Sequence, residues 1–247
     1  MYHYNELMNL YNGITDIIRA LYRINTDVES AISKVFIDLD NQLIESIKYP
    51  PFRILSLIQT ASIYNNRYFR SYLSIFKMFY LKYPQISTKD VSTIFQYFLR
   101  KEFCITIGEE KEPRLIFYDS ENYSIEVHQK NTIFKAIMDD NKELFIISIE
   151  REGFDKNQKL KSDFYPESEE GYTLLELSCY HGAVECFKLL RSKFNSEITP
   201  KCLQFSFLGG NPDIMSECLK EHDPDEECMK YAIASHNIDF VTFLVNE

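Results

Sequence analysis

The sequence has few of the residues that nucleotide-binding and redox sites are built from. It contains no tryptophan, 7 glycines and 8 prolines in 247 residues. Glycine is therefore too scarce to favour glycine-rich phosphate-binding loops. The sequence carries no Walker, dinucleotide-binding or nucleophile-elbow motif. The six cysteines are spread without a secretory signal, which is typical of free thiols in a reducing compartment. These absences predict a cytoplasmic protein without a cofactor.

Long apolar runs are missing as well. Charged residues interrupt the first predicted helix at Glu6, Asp16, Arg19 and Arg23, so it resembles no signal peptide. No stretch approaches the roughly 18–20 apolar residues that a membrane-spanning helix needs. With 45% hydrophobic and 26% charged residues, the composition is that of a globular protein, and no membrane partner is expected.

Positive charge is scarce in the second half of the chain. Residues 1–125 hold 14 Lys+Arg and 14 Asp+Glu, whereas residues 126–247 hold 13 and 23 and so carry the whole net charge of -10. Residues 44–105 are locally basic, with nine basic and three acidic residues. The aromatic residues of the basic stretch Arg67–Lys82 recur at spacings of three and four, which favours a buried helix face over a nucleic-acid site. No nucleic-acid partner is expected.

Apolar residues at helical spacing predict an N-terminal domain of five helices within residues 1–105. Their apolar faces lie within residues 7–21 (including Leu7, Leu10 and Tyr11), 28–43, 54–61, 69–83 and 91–99. Thr26–Glu29 and Ser87–Asp90 each fit a capping box before a helix. Residues 106–130 are interpreted as a connecting segment, with a charged loop at Glu109–Glu112 and a weakly alternating stretch, Leu115–Val127, in which a short strand or an extended segment is expected.

Residues 131–247 repeat one pattern about four times. Position zero of the four units is Asp140, Gly182, Gly210 and His236. The residue four positions earlier is always small (Ala136, Ser178, Ser206, Ala232), and the residue three positions later is always acidic (Glu143, Glu185, Asp213, Asp239). Apolar residues recur on either side. The pattern predicts helix–turn–helix units with a positive-φ turn at position zero, each covered by its neighbours.

This region resembles the ankyrin repeat. Residues 171–176 (GYTLLE) and 182–190 (GAVECFKLL) are similar to the family's G-x-T-P-L-H and G-H-x-E-I-V-x-L-L segments, and residues 152–157 (EGFDKN) to its repeat-ending G-A-D-x-N. Residues 131–247 also resemble the divergent ankyrin proteins that are expanded in parasitic protists, which carry an aromatic-rich helical region in front. The resemblance implies an all-α protein in which the N-terminal helical domain precedes an ankyrin-like helix–turn–helix solenoid.

The resemblance also implies a function and a binding face. Ankyrin repeats bind other proteins through their concave side, using fingertips and first-helix residues just before the turn. By position, the contact residues here are Met138, Asp139, Glu169, Glu170, Tyr172, Tyr180, His181 and Leu208. The expected function is protein–protein interaction without catalysis. The acidic Asp139, Glu167, Glu169 and Glu170 predict a basic target segment, and self-association through the basic stretch 44–105 stays open.

Two departures from the family are visible. The histidine of T-P-L-H is replaced in every unit, by Phe134, Glu176, Gln204 and Lys230. Position zero steps by 42, 28 and 26 residues, against about 33 in the family. The first step contains an insertion, residues 156–170, so fingers of equal length are not expected.

No residue set predicts catalysis or metal binding. Cys179 and His181 are two residues apart on a helix and point to different sides, which is poor geometry for a thiolate and its base. Cys218, His222, Cys228 and His236 lack metal-ligand spacing. The acidic runs Asp139–Asp140 and 223–227 lack the spacing of a calcium loop.

Two other functions stay open beside the interaction module. One is a structural subunit packed permanently into a larger complex, and the other is an unrecognised enzyme with a deep polar pocket. The last predicted helix has an apolar pattern, formed by Phe240, Val241, Phe243 and Leu244. No polar capping repeat follows this helix in the sequence. That pattern predicts either a partner at this helix or a natural chain that continues.

Overall fold

The computed structural model describes residues 2–108, 113–121 and 123–246, with side chains from residue 12 onward. The loop predicted at Glu109–Glu112 and the side chains of Leu7, Leu10 and Tyr11 lie outside the described residues. The described chain is mostly α-helical, as the sequence predicts, and has one short strand pair. None of its described helices is long and apolar enough to cross a membrane. The chain divides into two compact units, residues 1–127 and 128–247.

The first unit is built from six α-helices among its described residues. They are α1 (Tyr2–Tyr22), α2 (Glu29–Leu39, continued by π-helical turns at Asp40–Ser46), α3 (Pro51–Tyr64), α4 (Phe69–Lys82, preceded by a 3-10 turn at Asn66–Tyr68), α5 (Thr93–Phe103) and α6 (Pro113–Ser120). Pro51 stands in the first turn of α3, where a missing N–H costs nothing.

The core of this unit is aromatic and centres on α4. Phe69, Tyr72, Phe76 and Phe79 are at most 2% exposed, and the rings of Phe69 and Phe76 each lie 5.1 Å from that of Phe95 on α5. The aromatic residues of the basic stretch thus form a buried helix face, as their spacing predicts.

Both predicted capping boxes are wrong. The N-cap of α2 is Val28, and the Thr26 hydroxyl accepts from the Val28 amide in a local turn instead of capping the helix. Helix α5 begins three residues beyond Asp90, after Ser92, because the amide of Ser92 donates to Gln59 on α3 and fixes the chain there. A local turn therefore precedes α2, whereas a tertiary contact holds the chain before α5.

The short strand or extended segment predicted within Leu115–Val127 is wrong for residues 115–120. Residues 113–120 form α6, whose Leu115 and Tyr118 are buried at a helical spacing of three. The Tyr118 ring packs 5.3 Å from Tyr97 of α5. The alternating pattern was misleading because a single helix turn can also bury residues three apart.

The second unit consists of four helix pairs. They are α7 (Ile133–Met138) with α8 (Lys142–Ile149), α9 (Leu174–His181) with α10 (Val184–Phe194), α11 (Pro200–Gly209) with α12 (Pro212–Leu219), and α13 (Glu226–Ala234) with α14 (Ile238–Asn246). An antiparallel strand pair, β1 (Lys159–Leu160) and β2 (Tyr172–Thr173), closes the insertion between the first two pairs.

Each helix pair corresponds to one of the four predicted repeat units. The predicted positions within these repeat units agree with the backbone. Position zero has positive φ in all four units: 48° at Asp140, 65° at Gly182, 70° at Gly210 and 51° at His236. The small residue four positions earlier is at most 1% exposed in every unit. The acidic residue three positions later lies in the first turn of each second helix, where the helix dipole favours it.

Neighbouring pairs contact each other in chain order. First helices meet first helices (α7 with α9, α9 with α11, α11 with α13), and α10 contacts α8 and α12. The approach of α9 to α11 is close enough to exclude side chains, because a Cβ added to Gly209 would lie 2.1 Å from the Cys179 carbonyl oxygen. A Cβ on Gly182 would lie 2.6 Å from the Gly209 oxygen. Backbone thus packs on backbone at this boundary.

We predict that Ser206→Leu lowers the free energy of unfolding by about 1–3 kcal/mol, because Ser206 is 1% exposed between helices and leucine would overpack it. Ser216→Leu on the exposed side of α12 is the matched control and should change stability by less than about 0.5 kcal/mol. Urea unfolding of both variants measures the difference. Equal stability of the two variants would refute the register.

Candidate partner-binding surface

The insertion at residues 156–170, called the finger below, is a tightly held loop. The β1–β2 pair closes its base. Gly171 turns there with a φ of 81°, and only glycine fits, because a Cβ at this position would lie 2.6 Å from the Leu160 oxygen. Phe164 and Tyr165 are each 3% exposed. The Tyr172 hydroxyl donates to the Pro166 oxygen at 3.1 Å, so the acidic end of the finger has an ordered backbone.

Aromatic rings from the finger and from β2 cover the first helices. Tyr165 lies 4.9 Å from Tyr180 on α9, and Tyr172 lies 4.9 Å from Phe205 on α11. Phe205 in turn lies 5.1 Å from Tyr231 on α13. Every residue of α9 from Leu174 to Tyr180 is buried. The side chains of this helix are therefore packed inside the unit.

The predicted contact residues fall into three groups by exposure. Met138, Tyr172 and Tyr180 are buried, His181 and Leu208 are half-buried, and Asp139, Glu169 and Glu170 are exposed. The buried three can support a binding surface from beneath but cannot touch a partner. Glu169 and Glu170 end the finger, Tyr172 follows in β2, and Tyr165 joins the finger to His181.

Ion pairs neutralise part of the acidic surface. Asp139 pairs with Lys135 at 3.1 Å, and Glu170 pairs with Lys159 at 2.6 Å. The hydrogen bond from Lys159 lowers the pKa of Glu170. Glu167 and Glu169 are exposed and take part in no ion pair within the described ranges. These two carboxylates are the charges that the surface offers to a partner.

A buried hydrogen-bonded chain anchors the finger to α9. The Tyr165 hydroxyl lies 2.7 Å from Nε2 of His128 and 2.8 Å from Nε2 of His181. Burial, together with the nearby Lys135, lowers the pKa of His128 to about 3. Sequence reasoning missed His128 and Tyr165, because they are 37 residues apart and no local pattern pairs them.

Side chains of one first helix bind the start of the next first helix at two boundaries. Glu176 Oε1 accepts from the Thr199 hydroxyl at 2.7 Å, and Thr199 is the N-cap of α11. One unit later, Gln204 Nε2 donates to Asp225, the N-cap of α13, at 2.6 Å. Burial raises the pKa of Asp225, but the hydrogen bonds from Gln204 and Cys228, together with the nearby Lys201, leave it lowered.

Asp140 caps a helix that has no cap of its own. Helix α10 starts after Ala183, whose side chain has no oxygen to accept from the first amides. The Asp140 carboxylate of the preceding unit accepts from the amides of Glu185 and Cys186, both at 3.1 Å. One side chain thus fills a turn position in its own unit and a capping position in the next.

The pair that looked most like a nucleophile is arranged for packing. Cys179 is fully buried, and burial raises the pKa of its thiol well above the usual range. His181 contacts Tyr165. Such a thiol stays protonated at neutral pH and is a poor nucleophile.

The residues considered as metal ligands are engaged elsewhere. His222 Nε2 lies 2.8 Å from the Ile198 carbonyl oxygen, and Cys218 and Cys228 are fully buried. Within the described ranges, no group of three His, Cys, Asp or Glu side chains could hold a metal ion. Asp140 and Asp225, which belong to the acidic runs, accept hydrogen bonds from backbone amides at helix starts.

Comparison with known proteins yields one family match. Residues 194–247 match a family described as a domain of unknown function, DUF3447. The match covers the last two helix pairs and the end of α10. No curated protein matches this chain. No solved structure matches it either.

We predict that Asp140→Gly lowers the free energy of unfolding by about 1 kcal/mol, because the amides of α10 lose their acceptor. Glycine adopts positive φ without strain, so the lost stability measures the missing cap and not a distorted turn. Asp140→Asn, which keeps an acceptor oxygen and tolerates this φ, should lose less than half as much in urea unfolding. Equal losses would mean that the carboxylate is not a cap.

Proposed function

We propose that residues 131–247 form a degenerate ankyrin-type solenoid that binds another protein and has no catalytic activity. The observation that supports this best is the order of helix contacts, in which each first helix packs against the next first helix. The four positive-φ turns and the buried small residues support the same arrangement. Stacked units of this kind typically present a continuous surface for protein recognition.

The proposed binding surface consists of the finger's exposed edge and the rim just before the turns. Its accessible side chains are Glu167, Glu169, Glu170, Asp139, His181 and Leu208. The unpaired Glu167 and Glu169 favour a partner segment that carries Lys or Arg. A loop that is already ordered loses little conformational entropy on binding. We expect the charges mainly to raise the association rate.

A second candidate function is that of an assembly subunit. The last helix pair exposes large apolar side chains: Ile233 is 56%, Ile238 69% and Val245 70% exposed. The two middle repeat units have Cys179 and Phe207 at the position of Ile233, and both residues are fully buried. An apolar face of this kind would favour permanent packing against another subunit.

We predict that Glu167→Lys with Glu169→Lys slows association with a partner identified by affinity capture, by about tenfold or more at low salt. Raising the salt should slow association of the wild type and leave that of the variant nearly unchanged. The control is Glu152→Lys with Glu197→Lys, two exposed glutamates in loops outside the finger that give the same change in net charge. Stopped-flow kinetics at two salt concentrations measures both variants.

The electrostatic account fails if both double variants associate at the wild-type rate. It also fails if the control slows association as much as the finger variant, because net charge alone would then be responsible. Retention of folding by both variants is checked by circular dichroism.

The assembly function predicts self-association or capture of a permanent partner through α13 and α14. The wild-type chain should then show concentration-dependent association in sedimentation velocity, or co-purify with a partner that survives high salt. Ile238→Asp with Val245→Asp should abolish either behaviour, because buried charges without partners are costly. A wild-type chain that stays monomeric and captures no such partner would favour the interaction module.

A further inference from the structure

The first unit contains a pocket between the start of α2, one face of α4 and the end of α5, called the α2–α4 pocket below. Its volume is about 270 Å³. Five side chains of α4 line it at helical spacings and so share one face of that helix: Arg70, Ser71, Ser74, Lys77 and Met78. Pockets for drug-sized ligands measure about 300–1,000 Å³. The α2–α4 pocket therefore suits a smaller molecule.

The start of α2 gives the pocket an acidic wall. Asp27 and Glu29 both line it and are exposed. The hydroxyl of the buried Ser71 lies 2.9 Å from the Thr26 carbonyl oxygen and 2.5 Å from Oδ1 of Asp27, which holds this wall against α4. Oδ2 of Asp27 and the Glu29 carboxylate make no hydrogen bond or ion pair with other residues that the structure describes. Both remain available to a cationic group.

A lysine brings the opposite charge to the same pocket. Lys77 is half-buried, and its Nζ lies 4.0 Å from the centre of the Phe103 ring. The attraction of a cation to an aromatic face holds this long side chain in place. Within the described ranges, no ion pair joins Lys77 to Asp27 or Glu29. The ammonium and the acidic wall are therefore separated by space that a ligand can occupy.

The second cation of the pocket is already paired. Arg70 lies 2.7 Å from the Glu126 carboxylate. Lys77 is thus the cation that the pocket offers to a carboxylate ligand.

The remaining lining is apolar. Ile32 is 3% exposed, and Met78 and Phe103 are half-buried. Small-molecule sites typically combine such apolar walls with a few polar groups that fix orientation. The polar groups here are of both charges, which restricts the chemistry of the ligand.

We propose that the α2–α4 pocket binds a small zwitterion with an apolar side chain, of the class of free apolar α-amino acids. The ammonium group of the ligand meets Asp27 and Glu29, and its carboxylate meets Lys77. Its side chain contacts Met78 and Phe103. The site lies within the first unit and does not depend on the proposed partner-binding surface.

Ligands with a single charge fit the pocket less well. A simple anion would meet Lys77 but also the two carboxylates of the acidic wall, and a simple amine would meet that wall but also Lys77. Like charges placed together disfavour binding. A zwitterion gives each charge of the pocket an opposite partner.

NMR titration of the full chain with free leucine tests the proposal. The backbone amides of Ser71, Ser74 and Phe103 should shift. Isopentylamine, which is leucine without its carboxylate, and isocaproate, which is leucine without its amine, should each bind about tenfold more weakly, because each loses one charged hydrogen bond. The proposal is overturned if leucine causes no shift at about 20 mM, well above a millimolar Kd, or if either analogue binds as tightly as leucine.

Two variants assign the charges to residues. Lys77→Met keeps an apolar side chain beside Phe103, and Glu29→Gln keeps the shape of the side chain; each should weaken leucine binding about tenfold. Lys77→Met should also bind leucine and isopentylamine equally, because the carboxylate has then lost its partner. A variant that only disturbed the fold would not remove this difference selectively.

The matched controls are Lys89→Met and Glu121→Gln, which make the same changes at exposed positions of the first unit outside the pocket. Both should bind leucine as the wild type does, and circular dichroism checks that all four variants fold. Wild-type affinity in Lys77→Met, or equal weakening in Lys89→Met, would refute the site. The comparison of leucine with its two analogues needs only the wild-type chain, so it decides the matter even if a variant does not fold.

Discussion

The second unit depends on one close contact, in which the turn after α9 meets the end of α11 backbone to backbone. Gly182 and Gly209 leave no room for a Cβ there. The other interactions across this boundary, such as Glu176 with Thr199 and the Lys188–Asp213 ion pair at 3.2 Å, require the same separation of helices. A side chain at either glycine would lengthen all of them together, because packed helices move as rigid bodies.

The helix pairs are joined at their starts by polar groups that differ from one boundary to the next. Asp140 supplies the cap that Ala183 lacks, Glu176 binds Thr199, and Gln204 binds Asp225. Each of these bonds ends on or near a helix N-terminus, where unpaired amides need acceptors. Side chains of different chemistry therefore serve at these boundaries, since any group that reaches the next helix start with a suitable hydrogen-bonding atom can bind it.

The finger determines which side chains of the second unit are exposed. By packing Phe164 and Tyr165 inward, it turns the side chains around α9 into interior. The same loop holds Glu167 and Glu169 outside on an ordered backbone. Burial of one side of the loop and charge on the other both follow from the hydrophobic effect, which drives aromatic rings inward and leaves carboxylates in water.

The sequence by itself determined the helical class, the four turns at Asp140, Gly182, Gly210 and His236, and the buried small residues before them. These are local or periodic properties, so one chain segment carries the whole signal. Only the tertiary structure decided that Tyr172 and Tyr180 are interior, that Asp140 caps α10, and that α6 is a helix. It also brought His128 to Tyr165. Each of these depends on which distant residues come into contact, and burial and hydrogen bonding over such separations leave no spacing in the chain to read.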